Sequence, residues 1–257
     1  MRYLFGDTDI AAHRLEVLAE VFAESSRSFL LGAEVGRPEL ALDLGCGPGF
    51  STLLVADVLH CYRAAGLDSS DHFISLARKT ESGKVSFHLH DVTSVPFPVG
   101  PADLIYCRLL LTHMKDLKAV VAQWTTQLCP KGFLLIEEVE RINTNKKVFV
   151  DYLKILQEVM EHEFNGLYLG SALNILEDTD LLRKRSSEVR RVPVTSRDAA
   201  TMFFLNVQAW RRNPFILKKY PSLEIDRLER ALGVLRKASG GEIEIEWEMR
   251  QIVFERG

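Results

Sequence analysis

Two apolar rhythms divide this chain. Short runs in which almost every position is apolar fit strands at Glu39–Leu44, Tyr62–Asp68, Lys84–Asp91, Ala102–Arg108 and Gly132–Val139. Between them, apolar positions recur three or four apart, which predicts helices at Phe50–His60, Ser70–Thr80 and Leu117–Leu128. Strict alternation of short, wholly apolar strands with helices predicts a parallel sheet covered on both faces. Ahead of it, Leu15, Leu18, Ala19 and Phe22 mark an amphipathic helix from Ile10 to about Glu24, with Asp7 or Thr8 as N-cap. A second short helical piece is expected after Ser25-Ser26, and Gly36-Arg37-Pro38 breaks it.

After Arg141 the rhythm changes. A helix at Lys146–Glu163 carries Phe149, Tyr152, Leu153, Leu156, Val159 and Met160 on one stripe. A further helix is expected at about Leu173–Thr179, then a strand around Arg190–Thr195 and helices at Ser196–Arg211 and Ser222–Ala238. Gly240-Gly241 then turns the chain into a long closing strand, Glu242–Glu255. At 257 residues, 47% of them hydrophobic, the chain suits one domain, read as 1–37 (a helical lid), 38–139 (a binding core) and 140–257 (an insertion and terminal hairpin).

Candidate chemistry concentrates at the first strand. Leu42 to Phe50 reads Leu-Asp-Leu-Gly-Cys-Gly-Pro-Gly-Phe. Glycines at every second position let the backbone turn tightly and press on a ligand with no side chain between them. The helix that follows points its free N–H groups at whatever sits over the loop. Strand, glycine loop and helix make a nucleoside-type crevice. A dinucleotide fingerprint needs a glycine three places after the second one, and that place holds Phe50. A second acid, Asp68, ends the next strand about twenty residues on, where a carboxylate can accept from both hydroxyls of a ribose.

The run hydrophobic-Asp-hydrophobic-Gly-x-Gly-x-Gly resembles motif I of the class I S-adenosylmethionine-dependent methyltransferases. His90-Asp91-Val92, Pro101 to Arg108 and Pro130-Lys131-Gly132 follow in that family's order, so the resemblance covers about Glu39 to Val139. It implies a Rossmann-like α/β fold with a seven-stranded, mostly parallel sheet of order 3-2-1-4-5-7-6 and an antiparallel final strand. It also implies S-adenosylmethionine as cofactor, with S-adenosylhomocysteine as product. Cofactor contacts are then expected from Asp43, Gly45, Cys46, Gly47, Gly49, Asp68, Ser69 and Arg108, with Asp91 and the backbone of Val92 at the adenine. Tyr3 and Arg14 on the lid are candidates for the cofactor's carboxylate, Arg14 by bidentate geometry.

The acceptor is less legible. The strand-four sequence Tyr106-Cys107-Arg108-Leu109 lacks the Asn/Asp-Pro-Pro-aromatic run of amino-adenine enzymes and the Pro-Cys of cytosine-carbon enzymes. His113, in the loop after that strand, is the catalytic candidate, able to deprotonate a hydroxyl, thiol or amine, or else to pack on the cofactor. Glu137, Glu138 and Arg141 are expected on the acceptor rim. Tyr152, Phe164, Tyr168, Phe203, Asn206 and Trp210 suit a mostly apolar pocket. The expected reaction is methyl transfer to a heteroatom or carbon of a small metabolite or natural product; an RNA methyltransferase and a non-catalytic S-adenosylmethionine-binding protein remain the alternatives.

Charge and cysteine narrow this little. Net charge is −3, against a general polyanion binder, yet Arg183 to Lys219 holds ten Lys or Arg against Glu188 and Asp198. Either these are solvated faces or they favour an anionic acceptor, with Arg211 or Arg212 as the contact. Four scattered cysteines suggest neither a metal site nor a disulfide framework. Met1 to Phe5 lacks a leader's apolar stretch and no run reaches membrane length, so a cytoplasmic monomer or homodimer with a small-molecule partner, and no membrane, is expected.

Overall fold

The computed structural model describes residues 6–164, 166–238 and 241–257. Seven strands form one sheet in the order β3-β2-β1-β4-β5-β7-β6. They are β1 (Leu40–Leu44), β2 (Arg63–Asp68), β3 (Val85–Leu89), β4 (Ala102–Arg108), β5 (Leu128–Thr144), β6 (Leu182–Thr195) and β7 (Ile243–Arg256). The first five strands pair in parallel. β7 runs antiparallel to both β5 and β6. The order and the antiparallel closing strand are those the resemblance implied.

Helices cover both faces. Leu42, Leu44, Ile105 and Ile136 point to one side and pack with Trp124 of α4 (Leu117–Thr125). Leu104, Tyr106 and Leu135, one position out of phase, point to the other side and meet Phe29 and Leu30 of α1 (Asp9–Gly32) and Val55 of α2 (Phe50–Val58). This period of two explains why the strands are apolar at every position. A third core lies beyond the carboxyl ends of the strands. It joins Phe22 of α1 to Tyr152 of α5 (Lys147–Glu163), Phe203 and Trp210 of α6 (Ser196–Trp210), and Trp247 of β7.

Three expectations change. The expected break after Ser25-Ser26 does not occur, and α1 runs unbroken for 24 residues. Those serines are buried and tie the helix to the sheet: Arg108 Nη1 donates to Ser26 Oγ at 2.9 Å, and Gln251 Nε2 donates to Ser25 Oγ at 3.2 Å. Serine's weak helix propensity is offset by these tertiary hydrogen bonds. β5 continues past Val139 to Thr144 because β7 supplies a partner along its whole length, after a register shift between Val139 and Arg141. The helix expected at Leu173–Thr179 is a single 3₁₀ turn, Ser171–Ile175, and the short α7 (Pro214–Lys219) was not anticipated.

The basic run acquires a structural role. Arg183, Lys184, Arg185, Arg190 and Arg191 all lie on β6, the outer strand of the sheet. Charges on an outer strand keep its open hydrogen-bonding edge from recruiting another chain. Arg185 pairs across to Glu255 on β7 at 2.9 Å, and Arg191 faces Glu248 at 3.6 Å.

Candidate active site

A cavity of about 540 Å³ opens at the carboxyl ends of β1, β2 and β4 and runs beneath α1. The glycine loop forms its floor. Gly47 sits at φ +52°, a left-handed conformation, and a Cβ there would lie 3.2 Å from Leu15 of α1. Any side chain would therefore strain the backbone and press on the helix that covers the cavity. Gly45, Cys46 and Gly47 line the wall. Gly49 does not; its φ of +93° lets the chain pass Phe87, whose ring would be 2.7 Å from an added Cβ.

Asp43 corrects an expectation. It lies behind the loop rather than on the cavity wall, and its Oδ2 accepts from Ser51 Oγ and Thr52 Oγ1, both at 2.7 Å. The acid thus pins the first turn of α2, and burial raises its pKa to about 6. Asp68 lines the wall. Its Oδ2 accepts from Gly47 N at 2.9 Å and its Oδ1 from Ser70 N at 2.8 Å. Burial pushes its pKa up against these backbone donors. With Ser69 as a third backbone donor, the carboxylate still keeps a lone pair for a ligand. The N-cap of α3 (Asp71–Ala77) is supplied by Ser70, whose Oγ accepts from Phe73 N at 3.2 Å, so Asp68 has no capping duty.

Ser69, Asp91 and Val92 continue the wall. Asp91 Oδ1 accepts from both Thr93 N and Thr93 Oγ1, at 2.9 and 2.7 Å, which holds its carboxyl below the ordinary range and leaves Oδ2 available. Val92 is fixed through its carbonyl, which accepts from Trp124 Nε1 at 2.8 Å. Arg14, buried on α1, also lines the cavity. Tyr3 lies outside the described residues. Arg108 is on the wall too, its side chain committed to Ser26 and so to holding α1 down.

The chain turns sharply after β4. Leu109 adopts φ +55°, rare for a branched residue, and the following residues enter the cavity. His113 lies there with its ring edge-on to Phe164, centroids 4.8 Å apart. Burial, helped by the Arg14 charge, lowers its pKa to about 4, so the imidazole is neutral at pH 7. Glu138 is 1% exposed and accepts from Leu111 N at 2.7 Å, which shapes the same turn. Burial raises its pKa to about 8.

Glu137 is not on the rim as expected. Successive strand residues face opposite sides, so Glu137 is fully buried under α1, receiving Tyr106 OH at 2.6 Å and Gln251 Nε2 at 2.9 Å. Arg141 does not line the cavity, nor do Tyr152, Phe164, Tyr168 or Trp210. Phe203 and Asn206 of α6 do, with Leu156, Met160, Met202 and Trp247, the last of which the sequence reading missed. The alternation Ile245, Trp247, Met249 along β7 was its available signal. α6 folds over the cavity, but the anticipated anion contact is absent. Arg211 bonds to Asp226 at 2.5 Å and to Glu229, both on α8 (Ser222–Leu235), and Arg212 is exposed.

Known proteins share part of this sequence and its fold. Residues 42–136 match the model of a methyltransferase domain. Over that segment the chain is similar to a methyltransferase domain. Trans-aconitate 2-methyltransferase of Variovorax paradoxus is 35% identical over 108 residues, 41% of this chain and 41% of that protein. Phosphoethanolamine N-methyltransferase 1 of Arabidopsis thaliana is 28% identical over 135 residues, 51% of this chain and 27% of that one. Each match thus spans less than half of the relative's length. Among solved structures, coclaurine N-methyltransferase bound to N-methylheliamine and S-adenosylhomocysteine superposes with a TM-score of 0.52 at 18% identity, covering 84% of this chain and 67% of that one. The plantazolicin methyltransferase BpumL with S-adenosylhomocysteine gives a TM-score of 0.53 at 16% identity, covering 96% and 89%. The sequence match ends at Ile136, before most of the apolar wall of the cavity begins.

Proposed function

We propose that this protein transfers a methyl group from S-adenosylmethionine to a heteroatom or carbon of a small organic molecule. The observation that carries the reading is one continuous cavity. Its first part has the glycine loop, Asp68 and Asp91, and its second part is walled by the apolar cluster of α1, α5, α6 and β7. The residues at the first part fit the cofactor: a loop with no room for a Cβ, a carboxylate with a free lone pair, and an arginine on the covering helix.

In this reading Asp68 receives the two ribose hydroxyls and Asp91 Oδ2 receives an amino group of the adenine. The N–H of Val92 meets the ring, Ser69 and the Arg108 carbonyl complete the rim, and Arg14 pairs with the carboxylate. S-Adenosylmethionine, when bound, supplies a methyl group on a sulfonium whose departure leaves a neutral thioether. Alignment in a dry site then supplies much of the rate, because holding both partners in reacting geometry removes an entropic barrier of roughly 7–11 kcal/mol. His113 works as a neutral imidazole between the two parts, accepting a hydrogen bond from the acceptor; with a pKa of about 4 it has little driving force as a proton acceptor.

The test is turnover. Purified protein incubated with S-adenosylmethionine and a panel of small acceptors is expected to release S-adenosylhomocysteine together with a product in which one methyl group has replaced a hydrogen, read by mass spectrometry. Between about pH 5.5 and 9 the rate should lack a limb that His113→Gln removes, since the imidazole stays neutral throughout that range. Tight cofactor binding with no methylated product from any acceptor class would favour a silent binding protein instead.

A further inference from the structure

The acceptor part of the cavity carries a chemical signature of its own. Phe22, Leu156, Met160, Met202, Phe203 and Trp247 line it, and all six belong to one apolar cluster. Phe203 and Trp247 present rings 5.7 Å apart, and Phe22 stands edge-on to Trp247 at 6.0 Å, so the wall offers aromatic faces and edges to a guest. The described lining of the cavity holds two arginines, Arg14 on α1, whose charge reaches both His113 and Tyr152, and Arg108 at the end of β4, tied to Ser26.

One polar group interrupts the wall. Asn206 is 5% exposed and lines the cavity. Its Nδ2 donates to Tyr152 OH at 2.6 Å, which holds the amide beside that ring. Its Oδ1 is buried with no hydrogen-bond partner among the described residues. A buried carbonyl left unmatched is destabilising, so native structures retain one where a ligand or water satisfies it. Tyr152 stacks on Phe203 at 3.9 Å, so the amide is held by the same aromatic layer that walls the cavity.

Resting on the methyltransferase reading above, we propose that the acceptor is a neutral, lipophilic, ring-bearing molecule with one hydroxyl or N–H that donates to Asn206 Oδ1. Arg14, whose charge reaches His113 and Tyr152, is assigned in that reading to the cofactor's carboxylate, so an acceptor carboxylate or phosphate here would be stripped of water with no cation left to pair it, a heavy desolvation cost. The titratable groups nearest this part agree. His113 is uncharged at pH 7, and Glu138 holds its proton through burial while spending an oxygen on the Leu111 backbone. Asn206 is therefore a specificity-determining residue of the acceptor site, and the basic residues from Arg183 to Lys219 take no part in recognition.

The experiment keeps one ring system and varies its substituent. Protein saturated with S-adenosylhomocysteine is titrated calorimetrically with 2-naphthol, 2-methoxynaphthalene, 2-naphthoate and 2-naphthylmethylammonium. Expected is tightest binding for 2-naphthol, with 2-methoxynaphthalene weaker by about tenfold, the scale of one buried hydrogen bond. Asn206→Ala should abolish that difference while leaving S-adenosylhomocysteine affinity within twofold. Tyr152→Phe, which frees the amide to rotate but keeps the ring, should reduce it. Preference for the carboxylate or the ammonium compound overturns the proposal, as does an Asn206→Ala protein that still separates naphthol from its methyl ether. Binding of S-adenosylhomocysteine with none of the four naphthalenes overturns the acceptor class alone; failure to bind S-adenosylhomocysteine at all overturns the methyltransferase reading beneath it.

Discussion

At the cofactor end of the cavity, the wall is made of backbone turns and of carboxylates that each close a strand: Gly45 to Gly47 after β1, Asp68 at the end of β2, and Asp91 just beyond β3. At the acceptor end, the wall is made of side chains contributed by four elements far apart in sequence, from Phe22 on α1 to Trp247 on β7. In the function proposed above, the first end meets its ligand with donors and acceptors held by the main chain, where a substitution disturbs the backbone itself. The second recognises shape and apolar area, which many side chains can supply. A fixed cofactor and a changeable acceptor follow from that division.

The comparison breaks most readily at the cofactor end. Gly47→Ala and Asp68→Ala should each weaken S-adenosylmethionine binding by at least tenfold, about 1.4 kcal/mol. The first adds a methyl group at a left-handed backbone position against Leu15, and the second leaves the N–H groups of Gly47 and Ser70 without their acceptor. Calorimetric affinities unchanged in both variants would remove the reason for calling this end the cofactor site.

A subtler difference concerns protons between the two ends. Glu138 has its pKa raised from 4.5 to about 8 in the folded protein. Its contribution to stability is complete below pH 4.5, where folded and unfolded chains are both protonated. It is lost as pH rises toward 8, because the unfolded chain ionises first. Asp43, raised to about 6, behaves alike at lower pH. His113, lowered to about 4, behaves oppositely: its contribution is present above pH 6.5 and lost as pH falls toward 4. Between pH 6.5 and 8 Glu138 therefore dominates among the three. Urea unfolding should find the wild type less stable at pH 8 than at pH 6.5 by about 1–2 kcal/mol. Glu138→Gln should flatten that slope, and an equal slope in both proteins would mean that Glu138 is ionised when folded.

The smallest effect is expected where the sequence suggested a strong one. Arg211→Gln should lower stability by about 1 kcal/mol or less, since its partners Asp226 and Glu229 hold it at a half-exposed surface. Arg212→Gln should change nothing measurable. Neither should alter the Michaelis constant for the acceptor. A several-fold rise in either variant would reinstate an anionic substrate and blur the contrast between the two ends.

The order of strands and helices was legible in the chain because wholly apolar runs and helical stripes are local patterns. The position of the cofactor loop was legible for the same reason: glycine spacing and strand-end acids are fixed by the backbone they shape. Residues 45 to 113 accordingly hold most of the wall that the sequence pointed to, with Asp43 and Gly49 one layer behind it. Tertiary structure alone decided the rest. It carried α1 straight through Ser25-Ser26 by giving those hydroxyls partners on β4 and β7. It turned Glu137 away from Glu138 through the pleat of β5, and it spent the basic residues 183 to 191 on an outer strand. It also chose Phe203 and Asn206 over Tyr152 and Trp210 as lining, a choice set by which side of each helix meets the sheet. An amphipathic stripe says that a face is buried; what it is buried against is settled only when distant elements pack together.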